Sequence, residues 1–425
     1  MKTIVVLGGG VGGLAAAFEL KDELGQDNEI VLVSDQDNFE FTPSNPWVAV
    51  KWRKPGDIRL NLAELMPKHG IRFVGKAVKR VQPESHNLLL EDDEVLPYNY
   101  LVIASGPRLA FDEIPGLGPD GHTHSVCKTA HAAEMAKTLE DFCANPGPIV
   151  IGAAQGASCY GPAYEYTFII ETELRKRKIR DQVPMYYVTP EPYIGHLGLD
   201  GVGDTKSMLE SELRERHIKW FTNARIDKVD AGVMHITQVN EDGSDKISHE
   251  LEFAHSMILP AFTGIDAVMG IDGLSNPRGF IIVDEHQRNP TFHDIFAVGV
   301  CVAIPPVGPT PLPVGVPKTG YMIESMVTAT VSNIKLQIAG EELTHKATWN
   351  AFCLADFGDR GVAFMAVPQI PPRNVNWSGS GKWVHWAKVG FEKYYLRKMR
   401  QGKVEPFFEK FALRLMGVQK LKGSM

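Results

Sequence analysis

The sequence predicts an α/β fold with two Rossmann-like dinucleotide-binding domains of the three-layer ββα type, followed by an amphipathic helical tail. Three observations support this prediction. A glycine-rich turn follows the first apolar strand at residues 8–13, and a related turn follows the apolar segment 148–151. From residue 382 onward, aromatic and basic residues are interspersed. A strand that runs through such a turn into a helix is typical of dinucleotide binding.

Length and composition place the chain among ordinary globular proteins. Its 425 residues predict two or three domains, and 44% hydrophobic against 22% charged residues provide enough apolar surface for a core. Disordered and low-complexity classes are therefore excluded. No run of eighteen uncharged apolar residues occurs, and the first residues lead directly into a strand and a glycine turn. We expect neither a membrane-spanning helix nor a signal peptide.

Charge is unevenly distributed along the chain. The formal net charge is −7, and residues 382–425 carry eleven Lys or Arg against three Glu, which is +8. The preceding 381 residues therefore carry −7 − 8 = −15. An acidic body argues against nucleic-acid binding through a general basic face. The basic tail instead predicts an anionic membrane surface as its partner.

The first glycine-rich turn has the spacing GxGxxG between an apolar strand and a helix. Gly8 permits the tight turn, Gly10 lets a pyrophosphate approach the backbone, and Gly13 allows close packing of helix and strand. Free N–H groups at the start of the helix face the anion. The predicted cofactor contacts of this turn are Gly8, Gly9, Gly10, Val11, Gly12 and Gly13.

The second strand, residues 29–34, predicts the ribose contact of the same cofactor. An acidic residue is expected at the end of this strand, about 20 residues after the glycines. Asp35 follows Gly13 by 22 residues. Ser34 precedes it and is the alternative contact, so both residues are candidates.

Two later segments favour FAD over NAD as the cofactor of the first domain. Strand 100–106 ends in Ala104, Ser105 and Gly106, which resembles the motif that ends the first FAD segment of flavoprotein disulfide reductases. Residues 295–299, ending in Gly299, resemble the FAxGD motif of the same superfamily. Val300 replaces the acid that normally reaches the ribityl chain, so one FAD contact is in doubt.

A proline-rich loop, residues 304–317, leads into Lys318, Thr319 and Gly320 and then into a helix. A helix N-terminus beside a lysine favours negative charge. Under the N1/O2 edge of a flavin, this arrangement would stabilise the anionic reduced ring. We therefore predict that these three residues contact FAD. The alternative is that an ordinary surface helix, without a cofactor contact, follows the proline-rich loop.

The turn after residues 148–151 is an incomplete copy of the first. The positions that match GxGxxG read Gly152, Ala154 and Ala157, and the Ala154 methyl group would obstruct a pyrophosphate. The next strand ends in Thr189 and Pro190, without a ribose-binding acid. The sequence therefore disfavours NAD(P)H binding. Cys159 lies close to this turn, which indicates that sulfur handles the electron donor.

The five cysteines have neither the spacing of a zinc site nor that of a secreted disulfide framework. They are Cys127, Cys143, Cys159, Cys301 and Cys353. Isolated cysteines in a reducing compartment are most often small buried hydrophobic residues. No metal site is predicted.

The chain as a whole resembles the sulfide:quinone oxidoreductases, in particular the bacterial membrane enzymes of that family. The matching stretches span most of the sequence and are 41–47, 151–166, 191–198, 317–326 and 353–359. The resemblance implies an FAD enzyme that oxidises hydrogen sulfide to polysulfide or elemental sulfur and reduces ubiquinone or menaquinone. Thr42, Pro43, Ala77 and Val78 are further predicted FAD contacts.

The family uses three cysteines, and the matching positions are Cys127, Cys159 and Cys353. The resemblance implies that Cys159 and Cys353 flank the flavin as a disulfide or sulfur-bridged pair. Cys353 is then the thiolate that reacts with the flavin, and Cys127 moves or releases the growing sulfur chain. Cys143 and Cys301 have no such role and are expected to be structural.

The chemistry is coherent, because hydrosulfide attacks a disulfide sulfur and leaves a persulfide and a freed thiolate. We expect the pKa of that thiol to be depressed by a nearby positive charge or a helix terminus. His131 and His196 lie in family-matching stretches and are predicted to handle protons. Glu165 is a weaker candidate for the same work.

The tail contains two basic aromatic segments, 382–400 and 405–417, which are separated at Gly402. They are too short and too polar to span a bilayer, but two amphipathic helices of this kind can lie in its interface with cations toward lipid phosphates. A helix pair packed on the protein's own core is the alternative. Phe391 and Tyr394 are predicted walls of a quinone site. The prediction is a peripheral, monotopic membrane protein on the cytoplasmic face, and a homo-oligomer.

The predicted domains are an FAD domain in two pieces, 1–110 and 256–330, a second Rossmann-like domain at 111–255, a cap at 331–380 that carries Cys353, and the membrane-binding tail at 381–425. Three other functions stay open at this point. A type II NADH:quinone oxidoreductase needs an intact second nucleotide turn. A soluble flavin sulfide dehydrogenase that reduces a cytochrome needs no basic tail. A redox sensor needs no route for quinone.

Overall fold

The computed structural model describes residues 1–404 and 420–422. Its helices, in chain order, are α1 Val11–Leu24, α2 Asn45–Ala49, α3 Leu62–Lys68, α4 Thr129–Ala144, α5 Gly161–Lys176, α6 Thr205–Glu215, α7 Gly320–Ala339 and α8 Lys382–Arg400. Short 3₁₀ turns lie at Thr42–Ser44, Pro55–Ile58, Pro83–Ser85, Phe111–Glu113, Arg180–Gln182 and Gly299–Cys301.

The strands of the first half are β1 Thr3–Leu7, β2 Glu29–Val33, β3 Asn38–Glu40, β4 Arg59–Asn61, β5 Arg72–Val74, β6 Val78–Gln82, β7 Asn87–Leu90, β8 Val95–Pro97, β9 Tyr100–Ile103, β10 Arg108–Leu109, β11 Ile149–Ala153 and β12 Met185–Val188. Those of the second half are β13 Ile218–Phe221, β14 Ala224–Asp230, β15 Val233–Val239, β16 Asp245–Glu252, β17 His255–Leu259, β18 Phe262–Thr263, β19 Ile295–Ala297, β20 Ala351–Asp356, β21 Gly361–Val367 and β22 Val375–Gly381.

The first parallel sheet has the strand order β19-β9-β1-β2-β5. Its central strands are continuous apolar runs because both faces of a parallel sheet are covered. The late strand β19 pairs with β9, so the chain returns to this sheet after the intervening domain. Helix α7 then packs against α1 on one face of the sheet. This helix runs to Ala339, so this packed unit extends beyond the predicted end at residue 330.

The second parallel sheet has the strand order β13-β12-β11-β17. Strand β17, His255–Leu259, pairs with β11 along its whole length. The predicted return to the first domain at residue 256 is therefore wrong by a few residues, because β17 still belongs to the second sheet. An antiparallel sheet, β14-β15-β16, is attached to this domain.

A third unit is the antiparallel sheet β20-β21-β22, on which α8 packs. Cys353 lies in β20, opposite Phe364 of β21. Helix α5 of the second domain also packs against β20. The sheet therefore brings the cysteine-bearing strand, the second domain and the C-terminal helix together.

Helix α8 differs in part from the predicted membrane helix. Lys388 and Lys398 are buried and form ion pairs with Glu165 and Glu324, so the prediction that they face lipid is wrong. Packing on the sheet places these two cations inside the protein. Lys382, Lys393, Arg397 and Arg400 are exposed. The second predicted segment, 405–417, lies outside the described residues.

A search of residues 1–404 and 420–422 finds no helix that is both long and apolar enough to cross a membrane.

Candidate active site

The glycine turn between β1 and α1 has the shape of a pyrophosphate cradle. Gly8 has φ +115°, and a Cβ on Gly13 would lie 1.8 Å from the Gly8 carbonyl oxygen. Both positions therefore require glycine. A Cβ on Gly10 would meet nothing within 4 Å, so open space lies above this residue. The turn ends at the amide groups that begin α1, where an anion is favoured.

At the end of β2, Ser34 is buried and Asp35 is exposed. A Cβ on Gly9 would lie 3.0 Å from the Ser34 Oγ, so Ser34 is next to the cradle. Its Oγ also accepts the backbone N–H of Gln36 at 3.1 Å. Of the two candidates for the ribose contact, Ser34 has the closer position.

Four further predicted FAD contacts follow the ends of two strands of the same sheet. Ala104, Ser105 and Gly106 follow the end of β9, and Gly299 follows β19, which is its neighbour in the sheet. Cys301, expected to be structural, is buried beside them and donates its thiol to the carbonyl of Ile103 at 3.3 Å. The structure therefore gives Cys301 a packing role next to the cofactor site.

Lys318 and Thr319 immediately precede α7, which begins at Gly320. Burial lowers the pKa of Lys318 to about 8, and nearby Cys301 and Cys159 act in the opposite direction. The Thr319 hydroxyl donates to Gln369 at 3.3 Å. A half-buried cation thus stands at a helix N-terminus, near Cys301 and Cys159.

Thr42 and Pro43 form an exposed 3₁₀ turn that leads into α2. Ala77 and Val78 lie at the start of β6, where the Ala77 carbonyl accepts the Glu91 amide at 2.9 Å. These four FAD contacts stay predictions.

The fold brings the three family-matching cysteines together from distant parts of the chain. Cys159 lies close enough to both Cys127 and Cys353 for negative charge on one thiol to raise the pKa of the next. Cys127 and Cys159 each stand two residues before a helix, α4 and α5 respectively. All three are free thiols and are partly exposed as residues.

The thiol pKa values contradict one expectation. Burial raises the pKa of Cys127 to about 11 and that of Cys159 to about 12, and it raises the pKa of Cys353 further. The predicted depression of the thiol pKa is therefore wrong for the polypeptide itself. The Gly161 amide acts on Cys159 in the lowering direction, as Lys388 does on Cys353, but desolvation is larger.

Glu165 and Lys388 form a buried ion pair beside these cysteines. Lys388 donates to the Glu165 carboxylate, which also accepts the Asp356 amide at 2.6 Å. Burial raises the pKa of Glu165, and both Cys159 and Cys353 are within its electrostatic reach. Lys388 was not among the predicted site residues, because the cations of the tail were expected to face lipid phosphates.

His131 and His196 are placed differently. His131 lies in the first turn of α4, its ring packs edge-on against Phe111, and its Nδ1 is buried with no recorded hydrogen bond among the described residues. Burial lowers the pKa of both histidines. His196 accepts the Gly198 amide at Nδ1, 3.2 Å away, within its own loop. Neither histidine hydrogen-bonds to a cysteine within the described part of the chain.

The predicted quinone residues lie on α8. Phe391 is 43% exposed, and its ring lies 6.0 Å from that of Phe41. Tyr395 is buried against the same Phe41, 5.2 Å away, and was not predicted. Tyr394 lies under the Lys398 ammonium at 5.7 Å. Phe41 could have been found from the matching stretch 41–47, of which it is the first residue.

The second nucleotide turn is closed by another part of the chain. The Gly156 amide donates to the Pro313 carbonyl at 2.7 Å, and the Gly315 amide donates to the Ala157 carbonyl at 2.9 Å. A Cβ on Gly315 would lie 2.6 Å from the Ser158 Cβ, so the two loops are in close contact. The proline-rich loop thus occupies amide and carbonyl groups where a pyrophosphate would have to bind.

Comparison with known proteins identifies a matching family and several related enzymes. A family profile described as pyridine nucleotide-disulphide oxidoreductase matches residues 2–330. The "Sulfide-quinone reductase" of Aquifex aeolicus (strain VF5) is 41% identical over 416 residues, covering 97% of this chain and 95% of that protein. The mitochondrial "Sulfide:quinone oxidoreductase" of Dictyostelium discoideum is 23% identical over 348 residues, covering 81% of this chain and 72% of that protein.

Solved structures agree. The crystal structure of the sulfide:quinone oxidoreductase from Aquifex aeolicus superposes with a TM-score of 0.95 at 40% identity, covering 99% of this chain and 97% of that one. A structure of NDH2 from Plasmodium falciparum with NADH shares the fold, with a TM-score of 0.71 at 15% identity, covering 98% and 99%. This chain therefore belongs to the pyridine nucleotide-disulphide oxidoreductase family and, within it, to the FAD-dependent sulfide:quinone oxidoreductases.

Proposed function

We propose that this protein oxidises hydrogen sulfide to polysulfide or elemental sulfur and reduces a membrane quinone, using FAD and three cysteines. The observation that carries the proposal is the convergence of Cys127, Cys159 and Cys353, with Cys159 within electrostatic reach of Lys318 at the start of α7. A flavin enzyme of the disulfide type needs its redox-active thiols close to the site where the cofactor binds. The relatives named above carry the same activity in their names.

The sulfur step needs the oxidised pair Cys159–Cys353. Hydrosulfide attacks Cys159, a new S–S bond forms there, and the bond to Cys353 breaks, so that Cys353 leaves as a thiolate with the electron pair. The persulfide sulfur has then been oxidised by two electrons. Bound FAD would supply the acceptor for this electron pair, and reduction of the quinone by the same two electrons would consume two protons to give quinol. The net change is hydrogen sulfide plus quinone giving zero-valent sulfur plus quinol.

The chain's own residues hold the cofactor in this proposal. The open space above Gly10 and the amides at the start of α1 receive the pyrophosphate, and Ser34 lies where the adenosine ribose is expected. The Lys318 ammonium and the N-terminus of α7 favour negative charge on the reduced ring. Because Lys318 keeps a pKa of about 8, it is still mainly protonated at neutral pH.

Proton transfer follows from the raised thiol pKa values. Because desolvation raises the pKa of Cys353, its thiolate must react quickly or be protonated. Glu165 is within its electrostatic reach, has a raised pKa and is neutralised by Lys388. We assign this pair to proton transfer between the sulfur side and α8. We also propose that His131 and His196 handle protons as sulfide arrives; burial lowers the pKa of both, so each releases a proton more readily than a solvent-exposed histidine.

The quinone side is proposed at α8. Phe391 and Tyr394 form one wall, and Phe41, next to the predicted FAD contacts Thr42 and Pro43, continues it. The outward side of α8 carries Trp383 at 49% and Trp386 at 71% exposure, together with exposed lysines and arginines. Tryptophan and cationic side chains suit the membrane interface. Attachment to an anionic membrane surface through the tail, on the cytoplasmic side and as a homo-oligomer, belongs to the same proposal.

NADH is the donor to test against sulfide, because the type II NADH enzymes share the fold. The closed second turn supports sulfide. The test is anaerobic: sulfide or NADH is added to the purified protein in parallel, flavin absorbance is followed, and a short-chain quinone is added afterwards. Bleaching by sulfide alone, reversal by quinone, and loss of bleaching in Cys353→Ala are expected. Cys143→Ala, which changes a cysteine outside the cluster, is the matched control. Bleaching by NADH alone would overturn the proposal.

A further inference from the structure

A surface cleft lies between the loop after α2, the end of α5 and the start of α8. Trp52 and Arg53 line one side of it, Lys176 another, and His385 and Trp386 the side formed by α8. Gly358 also lines the cleft; a Cβ there would lie 2.6 Å from the Trp52 ring, so glycine at this position lets that ring pack closely. Three tryptophans, Trp47, Trp52 and Trp386, and two permanent cations therefore meet in one opening.

The cations of this cleft are only partly neutralised. The Lys176 ammonium lies 3.8 Å above the Trp52 ring, and within residues 1–404 and 420–422 no ion pair to a carboxylate is recorded for it. The Arg53 Nε binds Glu392 at 2.9 Å, and one of its terminal nitrogens donates to the Trp52 carbonyl. The described lining contains no carboxylate. The cleft therefore has the chemistry of an anion site.

The carboxylates that border the cleft are already bound to other groups. Glu173 accepts the Trp52 indole N–H at 2.9 Å and pairs with Arg177 at 2.8 Å. Asp356 accepts the Trp47 indole N–H at 2.7 Å and pairs with His385 at 2.9 Å. Both carboxylates are therefore engaged by partners other than Lys176.

The surroundings of the cleft indicate the kind of anion. Two short basic runs, residues 51–54 and 175–178, form its rims, although the body of the chain is acidic overall. Trp386, the most exposed tryptophan at 71%, stands at its mouth on the outward side of α8. A free phosphate would leave this ring in water. A phosphate attached to acyl chains would cover it, since tryptophan prefers the lipid interface.

We propose that this cleft binds the phosphate group of an anionic membrane lipid. Lys176 and Arg53 pair with the phosphate oxygens, and Trp52 and Trp386 pack against the glycerol and the first acyl carbons. The inference rests on the membrane attachment proposed above and deepens it, because it adds a lipid contact from the body of the protein to that of the tail. Lipid phosphates attract lysines and arginines near the surface.

The test compares two single charge removals in the full-length, FAD-loaded protein. Lys176→Gln removes a cation that lines the cleft. Lys178→Gln removes one from the same basic run that does not line it. Binding is measured by sedimentation with vesicles of phosphatidylcholine alone and of equimolar phosphatidylcholine and phosphatidylglycerol. Lys176→Gln is expected to weaken binding to the anionic vesicles about fivefold. Lys178→Gln is expected to have a clearly smaller effect.

Equal losses in the two variants, or no loss in Lys176→Gln, would overturn the proposal, because net charge rather than the cleft would then govern binding. Inorganic phosphate and glycerophosphoglycerol are added as competitors. Displacement of anionic vesicles from wild type but not from Lys176→Gln by inorganic phosphate would assign the cleft to a free anion and reject the lipid. Oxidation of sulfide with a soluble short-chain quinone is measured in parallel and should be unchanged in both variants, so failure of this inference is separable from failure of the proposed function.

Discussion

The Lys388 ammonium in α8 donates to the Glu165 carboxylate in α5, and both side chains are buried although 223 positions separate them. Helix α5 begins two residues after Cys159, and α8 carries the proposed quinone wall. The ion pair therefore joins the sulfur side of the molecule to its quinone side. A buried pair is strongly destabilised when one partner is lost, because the other charge is left without compensation.

Replacing Lys388 with Met is expected to lower the free energy of unfolding by about 3–5 kcal/mol. Glu165 would keep the Asp356 amide but lose the one cation that pairs with it within residues 1–404 and 420–422. Thermal unfolding measures the loss, and quinone reduction should slow as well. In the double variant Lys388→Met/Glu165→Gln much of the stability should return, because neither charge of the pair remains. Lys393→Met, at an exposed position of the same helix, is the control. If Lys388→Met unfolds with the same free energy as wild type, the ion pair does not stabilise the fold by this amount.

Removing single cysteines is expected to separate two stages of the sulfur chemistry. Cys159→Ala and Cys353→Ala should abolish flavin reduction by sulfide, since hydrosulfide would have no disulfide to attack. Cys127→Ala should keep the first reduction and slow later turnovers, because the sulfur chain is not moved on. Stopped-flow absorbance gives the first event and steady-state quinone reduction the second. If Cys127→Ala also loses the first flavin reduction, the proposed role of Cys127 in later turnovers alone is wrong.

Closure of the second nucleotide turn predicts that NADH neither reduces nor binds the protein. The Gly156 amide is held by Pro313, and Ala154 is buried in the turn. Titration calorimetry with NADH should give no heat of binding. Gly315→Ala should destabilise the protein and slow sulfide oxidation, because its methyl group would collide with Ser158 beside Cys159. Gly308→Ala in the same loop, where a Cβ meets nothing within 4 Å, should behave as wild type.

The two glycines of the first turn should respond differently to the same substitution. Gly13→Ala places a methyl group 1.8 Å from the Gly8 carbonyl, so little folded protein is expected. Gly10→Ala points into open space and should fold, yet bind FAD more weakly because the methyl group takes the place of the pyrophosphate. FAD absorbance per protein and circular dichroism distinguish the two outcomes. A Gly10→Ala protein with full FAD content would argue against this cradle.

His255 gives the protein a pH-dependent stability on the acid side. It is buried, binds the Tyr166 hydroxyl at 2.8 Å, and burial lowers its pKa to about 3 from the ordinary value of 6.5. Because the unfolded chain binds this proton more tightly, the contribution is full above pH 6.5 and is lost as pH falls toward 3. Unfolding measured between these limits should show a shallower slope in His255→Gln. His293→Gln, at an exposed position, should keep the slope of wild type.

Local patterns determined the parts of the site that depend on a few consecutive residues. The turn from Gly8 to Gly13 was predicted from spacing alone, because a strand, a glycine turn and a helix form the cradle without help from distant residues. The incomplete turn at Gly152 predicted the absence of nicotinamide binding in the same way. Resemblance, rather than spacing, selected Cys127, Cys159 and Cys353 from five cysteines, since they are far apart in the chain.

Tertiary structure decided what depends on burial and on contacts between distant segments. From the composition of the tail, Lys388 and Lys398 were predicted to face lipid phosphates. The packing of α8 on β20–β22 instead buries both side chains against carboxylates. The thiol pKa values are raised rather than lowered, because desolvation inside the fold outweighs the nearby cations and amides. Likewise, only the fold shows that Pro313 closes the second turn. The sequence by itself determined the local backbone geometry and the kind of chemistry, whereas the solvent exposure of each charge was set by segments hundreds of residues away.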